Sequence, residues 1–180
     1  MLGGNSMTRE EIFTSLLNHM VKGLMIHDQM ANYYDFLGLE EYKDCHEKHY
    51  LKENKSYRKL YHYYISRYNR LIPEFRFENP NVIPSSWYSH ARQDVDMKTR
   101  QQAIEEGLNK WIKWEGSTLT LYQQMYIELM NLGDVAGAAE ILKLVKDVEE
   151  ELQQAEQYQL YKKAMNYDMP TIVQEQDKRK

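Results

Sequence analysis

The chain has 180 residues and a formal net charge of −4, from 23 Lys and Arg against 27 Asp and Glu. This length is sufficient for one domain with a hydrophobic core. The net negative charge means that the chain as a whole has no excess of positive charge for binding a phosphate backbone. No apolar run approaches the roughly 20 residues that cross a bilayer, and the start MLGGNSM lacks the features of a signal peptide. A single cysteine, Cys45, excludes an internal disulfide and is expected to be a structural thiol. We therefore predict a soluble cytoplasmic protein.

The first predicted helix follows a flexible leader of residues 1–7 and begins near Thr8. One side of it recurs at steps of three and four, the helical period, through Ile12, Leu16, Met20, Gly23, His27, Met30, Tyr34 and Leu37. His27 is the exception on this apolar stripe, because a buried imidazole needs a polar partner. The identity of that partner is the main functional question that the sequence raises.

The second predicted helix runs from about Glu40 to Leu71, after a break at Gly38. Its candidate buried stripe is Tyr42, His46, His49, Glu53, Ser56, Leu60 and Tyr63. So short a joint predicts that the first two helices are antiparallel neighbours.

A proline-containing connection of about residues 72–95 is predicted to cross the molecule to a third helix, from about Asp96 to Asn131. The stripe on this helix is Ile104, Leu108, Trp111, Glu115, Thr118, Tyr122, Met125 and Leu129. A tight turn at Gly133, with Asp134 as N-cap, leads to a fourth helix that ends near Met165. Its stripe is Ala138, Ile141, Val145, Val148, Leu152 and Ala155, and residues 166–180 form a predicted loose tail.

Counting outward from each turn indicates which polar residues share a level, since a helix rises 1.5 Å per residue. In the first hairpin, His27, His49 and Glu53 fall within about one turn of each other. In the second, Glu115 falls opposite residue 152, beside Glu151. Both hairpins thus bring ionisable groups together far from their turns, where an unpaired carboxylate would be costly to bury.

This order of elements predicts an all-α four-helix bundle with one long crossover, between helices 2 and 3. The segment WEGSTLTLYQQMYIELMNLGDVAGAAEILKLVKDVEEELQQAEQ resembles the third and fourth helices of ferritins, and MANYYDFLGLEEYKDCHEKHYLKENKSYRKL is similar in spacing to the first pair. The resemblance to the ferritin-like superfamily covers residues 8–165 as a single domain. It implies up-down-down-up topology and a di-metal site of carboxylate and imidazole ligands at the bundle centre.

Carried over by position, Glu53 matches the second-helix Glu of that family, and Glu115 matches the third-helix Glu. The other ligand positions depart from the family pattern. Ser56 stands where the Glu-x-x-His motif requires histidine, and on the first helix the ligand position falls near Met20 or Gly23, neither of which binds a hard cation. The fourth helix has no histidine, although it carries Asp147, Glu149, Glu150 and Glu151. The candidate metal ligands are therefore His27, His49, Glu53, Glu115 and Glu151.

Three functions remain open at this point. The sequence favours a bundle with a vestigial or metal-free polar core that acts by self-association or by binding a protein partner, and a homo-oligomer, dimer or larger, is expected. The alternative is an iron-binding or di-iron oxidoreductase protein, ferroxidase-like by resemblance, with iron or another transition metal as cofactor. The third is a nucleic-acid-binding accessory protein, suggested by the basic residues and tyrosines of residues 52–70. A solvated helix face explains that segment more simply.

Overall fold

The computed structural model of the chain describes residues 7–72, 80–85, 91–92 and 95–165, and within these ranges it is helical with no strands. Four helices follow in chain order: α1 (Arg9–Leu37), α2 (Glu40–Tyr68), α3 (Met97–Asn131) and α4 (Val135–Ala164). The all-α prediction is confirmed. Almost all of the predicted leader, much of the predicted crossover and the whole predicted tail lie outside the described residues. Over the described ranges, no helix combines the length and the apolar character needed to span a membrane.

The ends of α1 and α2 follow from local hydrogen bonding. Thr8 and Glu11 form a capping box, in which the Thr8 hydroxyl accepts from the Glu11 N–H and the Glu11 carboxylate accepts from the Thr8 N–H. Gly38 ends α1 with φ 72°, a left-handed conformation that costs glycine little. Asn69 takes the same role at φ 54°, so α2 ends at Tyr68 and not near the predicted Leu71.

The turn between α3 and α4 is tied through Asp134 to both helices of the first pair, at the end away from the α1–α2 turn. This side chain accepts from the Gly137 N–H, which makes it the predicted N-cap of α4. Its second carboxylate oxygen accepts from the Tyr68 hydroxyl at 2.6 Å and from Arg9 Nε at 2.9 Å. One buried carboxylate therefore holds the start of α1, the end of α2 and the α3–α4 turn together.

Consecutive helices pair along their length. Tyr34 contacts Tyr42 close to the α1–α2 turn, and Phe13 contacts Tyr68 at the far end of the same pair. The two helices of this pair therefore run in opposite directions, as the short joint predicts.

The predicted stripes of α1 and α3 are buried at every position. The α2 stripe is wrong at three positions, because Glu53 and Ser56 are half-buried and Tyr64 is buried where Tyr63 was expected. The α4 stripe is wrong at one, where Glu151 is buried in place of Leu152. Steps of three and four average 3.5 residues, whereas a straight helix has 3.6, so a stripe drifts around a long helix. This drift favours later residues, as at Tyr64. On α4 the inward position instead falls one residue earlier, at the Glu151 carboxylate.

The core consists of two apolar clusters with a polar level between them. One cluster extends to Met20 on α1 and Tyr122 on α3, and the other begins at Met30 and Trp111 on the same helices. The stretches between these positions carry His27 and Glu115. The candidate site thus lies inside the bundle at one level.

Candidate functional site

Six ionisable side chains from all four helices meet at the polar level. We call them the central cluster: His27 of α1, His46, His49 and Glu53 of α2, Glu115 of α3, and Glu151 of α4. Five of them are the residues that the sequence analysis proposed as metal ligands. His46 is the member that it missed as a site residue.

The three histidines form a contiguous group. His27 is fully buried, and its Nδ1 lies 2.8 Å from Nδ1 of His46, so one of these two nitrogens carries the hydrogen of a hydrogen bond. His49 stacks on His27 with ring centroids 5.2 Å apart. The expected partners of His27 were His49 and Glu53, but its hydrogen-bonding partner is His46. His46 lies on the same predicted stripe of α2 as His49. It is one helical turn away from the level that the hairpin count gives for His27, so a count with a tolerance of one turn includes it.

The other nitrogen of His27 faces two carboxylates. Its Nε2 lies 3.7 Å from Glu115 Oε1 and 4.0 Å from Glu53 Oε1. Glu115 is fully buried and accepts a hydrogen bond of 3.0 Å from Trp111 Nε1. These atoms are too far apart for direct hydrogen bonds between imidazole and carboxylate.

Four polar atoms of the central cluster are buried without a hydrogen-bond partner in the part of the chain that is described: His27 Nε2, His49 Nδ1, Glu53 Oε2 and Glu115 Oε2. Buried polar atoms are paired in the great majority of cases, and an unpaired one costs about 1–3 kcal/mol. The central cluster thus concentrates buried donor and acceptor atoms that are able to bind a further polar group.

The fourth-helix carboxylate, Glu151, does have a counter-charge. Lys52 Nζ lies 2.5 Å from Glu151 Oε1, and His49 Nδ1 lies 4.0 Å from the same oxygen. The Lys52 side chain is 46% exposed and that of Glu151 is 9% exposed, so the lysine reaches the cluster from the surface.

Gly23 makes room for the inward position of Glu53. A Cβ atom at residue 23 would lie 2.4 Å from Glu53 Oε2, a distance that real Cβ contacts do not reach. Neither Met20 nor Gly23 on α1 carries a metal-binding side chain. The structure gives the physical reason, because the Glu53 carboxylate of α2 occupies the space beside Gly23.

Burial shifts the pKa of each of the three histidines, of Glu53 and of Glu115 toward the neutral form. Burial lowers the pKa of His27 to about 4, although the negative charge of Glu151 acts in the opposite direction. Burial also lowers the pKa of His49 to about 4, and the charge of neighbouring His27 lowers it further. Burial raises the pKa of Glu115 to about 7, and burial with the like charges of Glu115 and Glu151 raises the pKa of Glu53 well above its ordinary value. Neutral imidazole is the form that binds metal ions.

Two clefts flank the central cluster. One of about 390 Å³ is lined by His49, Lys52, Trp111 and Glu151, on the side of α2 and α4. The other, of about 480 Å³, has both His27 and Trp111 in its wall. Each cleft therefore borders side chains of the central cluster.

The donor types fit a transition metal, but their arrangement is not preformed. Two ligand atoms that each lie about 2.1 Å from one ion are separated by about 3–4.2 Å, and both distances from His27 Nε2 fall in this interval. Yet among the described residues no group of three or more His, Cys, Asp or Glu is arranged so that it could hold a metal ion. Binding would require the Glu53 and Glu115 carboxylates to turn, about torsions whose energy wells are broad.

The remaining sequence features fall outside the cluster. Cys45 is half-buried, and burial raises the pKa of its thiol to about 11, which suits a structural residue. Three tyrosines of the basic segment, Tyr63, Tyr64 and Tyr68, pack against Phe13 and not outward as a base-stacking surface requires.

In comparisons with known proteins, no protein-family model matches the chain, and no curated protein matches it either. The resemblance to ferritins therefore remains a prediction.

Proposed function

We propose that this protein is a ferritin-like four-helix bundle that binds a transition-metal ion at its central cluster, with iron as the ion that the resemblance implies. The donors would be His27 Nε2 and the carboxylates of Glu53 and Glu115. His46 would accept the Nδ1 hydrogen of His27 and so keep Nε2 free as a ligand. Such an ion supplies Lewis-acid chemistry and, if it is iron, one-electron chemistry toward dioxygen.

The order of interhelical contacts supports the up-down-down-up arrangement within this proposal. Along α1, His19 contacts Thr118 of α3, whereas Tyr34 lies against Gly107, so the partner positions on α3 decrease as those on α1 increase. Along α2 and α4 the order is likewise reversed, from the Glu41–Tyr158 contact to the Lys52–Glu151 contact. These directions are the ones expected when a connection crosses the bundle between α2 and α3.

The observation that carries the proposal is the group of four unpartnered buried atoms on His27, His49, Glu53 and Glu115. Imidazole and carboxylate suit iron, manganese and zinc. A bound ion would satisfy lone pairs that the described side chains leave unsatisfied. It would also recover part of the cost of desolvating the carboxylates.

A second candidate function is a metal-free bundle that acts by self-association or by binding a protein partner. The observation that favours it is the absence, over the described ranges, of a preformed three-ligand arrangement. The pKa shifts agree with it, since burial favours the neutral forms of His46 and Glu53 and so reduces the charge of the core.

One substitution separates the two candidates. Glu115→Ala removes a proposed ligand, and Glu105→Ala, at an exposed position on the same helix, is the matched control. Metal content is measured by elemental analysis of protein purified without chelator and then incubated with Fe(II) under anaerobic conditions. We expect metal in the native chain and in the Glu105 variant, and at least a tenfold loss of affinity in the Glu115 variant.

Melting temperatures complete the experiment. With metal, Glu115→Ala lowers the melting temperature of the loaded protein, because the ligand-linked stabilisation is lost. A native chain that binds no metal, and whose Glu115→Ala variant is as stable or more stable, would refute the proposal and leave the second candidate.

A further inference from the structure

The larger of the two clefts beside the central cluster has the form of a small-molecule site. Most of its walls come from α1, α3 and the segment of residues 80–82, and we call it the α1–α3 cleft. Its volume of about 480 Å³ lies within the range of roughly 300–1,000 Å³ that is usual for ligand pockets.

The segment of residues 80–82 is held to both helices by hydrogen bonds of one residue. The backbone N–H of Val82 donates to Gln29 Oε1 of α1 at 3.0 Å, and Lys110 Nζ of α3 donates to the Val82 carbonyl at 3.1 Å. The Val82 side chain is buried in the apolar cluster that contains Met30 and Trp111. This wall of the cleft is therefore built into the bundle.

The interior of the α1–α3 cleft is apolar and rich in aromatic surface. Met30 and Trp111 are buried in its wall, and Trp114 lies beside them. The Trp114 ring stacks on His19, with centroids 4.2 Å apart and planes inclined by 8°, so its orientation is fixed. Indole faces and a methionine sulfur both make favourable contacts with an aromatic ring.

The charged residues of the α1–α3 cleft all have the same sign. Lys22, Lys110 and Lys113 line it, and no Asp or Glu does so among the residues that the structure describes. Lys22 and Lys113 are exposed and form no ion pair within the described ranges. The smaller cleft differs, because Glu41 and Glu151 line it. Charge complementarity therefore favours an anion in the α1–α3 cleft.

One hydrogen-bond donor in this wall has no partner. Trp114 Nε1 is buried and unpaired over the part of the chain that is described. An indole N–H can only donate, and a buried donor without an acceptor costs about 1–3 kcal/mol. A carboxylate oxygen is an acceptor that would satisfy it.

We propose that the α1–α3 cleft binds a small aromatic carboxylate. Its ring packs against Met30, Trp111 and Trp114, and its carboxylate is held by the ammonium groups of Lys22 and Lys113. This inference does not depend on the proposed metal binding, since neither the apolar wall nor the two lysines belong to the central cluster.

The test is calorimetric titration of the chelator-treated full chain with three probes: 2-naphthoate, the neutral 2-naphthalenemethanol and the aliphatic acid decanoate. The native chain is compared with the double variant Lys22→Met/Lys113→Met. The matched control is Lys48→Met/Lys98→Met, which also removes two exposed charges. Lys48 lines the smaller cleft, so this control reports binding there. Circular dichroism verifies that each variant is helical.

We expect saturable binding of 2-naphthoate to the native chain and to the control pair, and at least a fivefold loss of affinity in Lys22→Met/Lys113→Met. The neutral alcohol and decanoate should each bind the native chain at least fivefold more weakly than 2-naphthoate. No binding of 2-naphthoate, an equal loss in the control pair, or a neutral alcohol or decanoate that binds as tightly would overturn the inference.

Nuclear magnetic resonance locates the bound probe. Of the two clefts, Trp114 lines only the α1–α3 cleft, whereas Trp111 lines both. The indole N–H resonance of Trp114, assigned by its loss in Trp114→Phe, should shift with the same saturation curve as the calorimetric titration. A Trp114 resonance that does not move while 2-naphthoate binds would place the probe elsewhere and overturn the inference.

Discussion

Glu115→Gln is predicted to stabilise the metal-free protein, and to do so only at neutral and alkaline pH. The substitution keeps the size of the side chain and an oxygen that accepts from Trp111 Nε1. It removes a carboxylate that is fully buried and whose pKa burial raises from 4.5 to about 7. A carboxyl group with a raised folded-state pKa binds its proton more tightly in the folded state, so the native chain loses stability as pH rises from about 4.5 through 7.

The magnitude follows from that pKa. A tenfold change in proton affinity corresponds to about 1.4 kcal/mol, so the ionised Glu115 costs the metal-free fold about 3 kcal/mol at pH 8 and less than about 1 kcal/mol at pH 5. In a chain of this size, 3 kcal/mol raises the melting temperature by roughly 6–12 °C.

The assay is urea denaturation of chelator-treated protein at pH 5 and at pH 8, with Glu105→Gln as the exposed control on the same helix. The difference in unfolding free energy between Glu115→Gln and the native chain should grow with pH, and that of the control should not. A difference that does not change with pH, or a Glu115→Gln variant that is less stable at pH 8, would refute the assignment of a buried, destabilising carboxylate.

Three glycines give further predictions. Gly107→Ala should destabilise the fold by about 1–3 kcal/mol in thermal denaturation, because its Cβ would lie 1.7 Å from the Tyr34 hydroxyl oxygen. Gly116→Ala, on the same helix with nothing within 4 Å, should instead stabilise by about 0.5–1 kcal/mol, and equal effects at the two sites would contradict the packing. Gly23→Ala should displace the Glu53 carboxylate and lower Co(II) affinity at least tenfold, and unchanged affinity would exclude Glu53 as a ligand.

The helices and their caps could be predicted from sequence because the signals are local. Thr8 and Asp134 cap helices where their side chains predict it, and Gly38 ends α1 in the left-handed conformation that glycine favours. The predicted end of α2 near Leu71 is too late, because Asn69 also tolerates the left-handed conformation and ends the helix at Tyr68.

The level of the candidate site could also be predicted, but its pairings could not. Counting residues from each turn places His49 and Glu53 level with His27 in the first hairpin and Glu151 level with Glu115 in the second, since helical rise is nearly constant. The structure brings the two levels together, with His27 Nε2 facing both Glu53 and Glu115. The count does not fix how side chains lean along their helices, and this is why His46 was missed as the partner of His27. Nor does it indicate that Lys52, on a partly exposed face, turns inward to Glu151.

The central claim is that the cluster binds a metal ion, and the most direct measurement is anomalous X-ray scattering from crystals grown with Co(II). The account predicts a single anomalous peak inside the bundle, about 2.1 Å from His27 Nε2 and within ligand distance of the Glu53 and Glu115 carboxylates. A bundle interior without a peak, at a metal concentration that fills a control site such as an appended histidine tag, would contradict it.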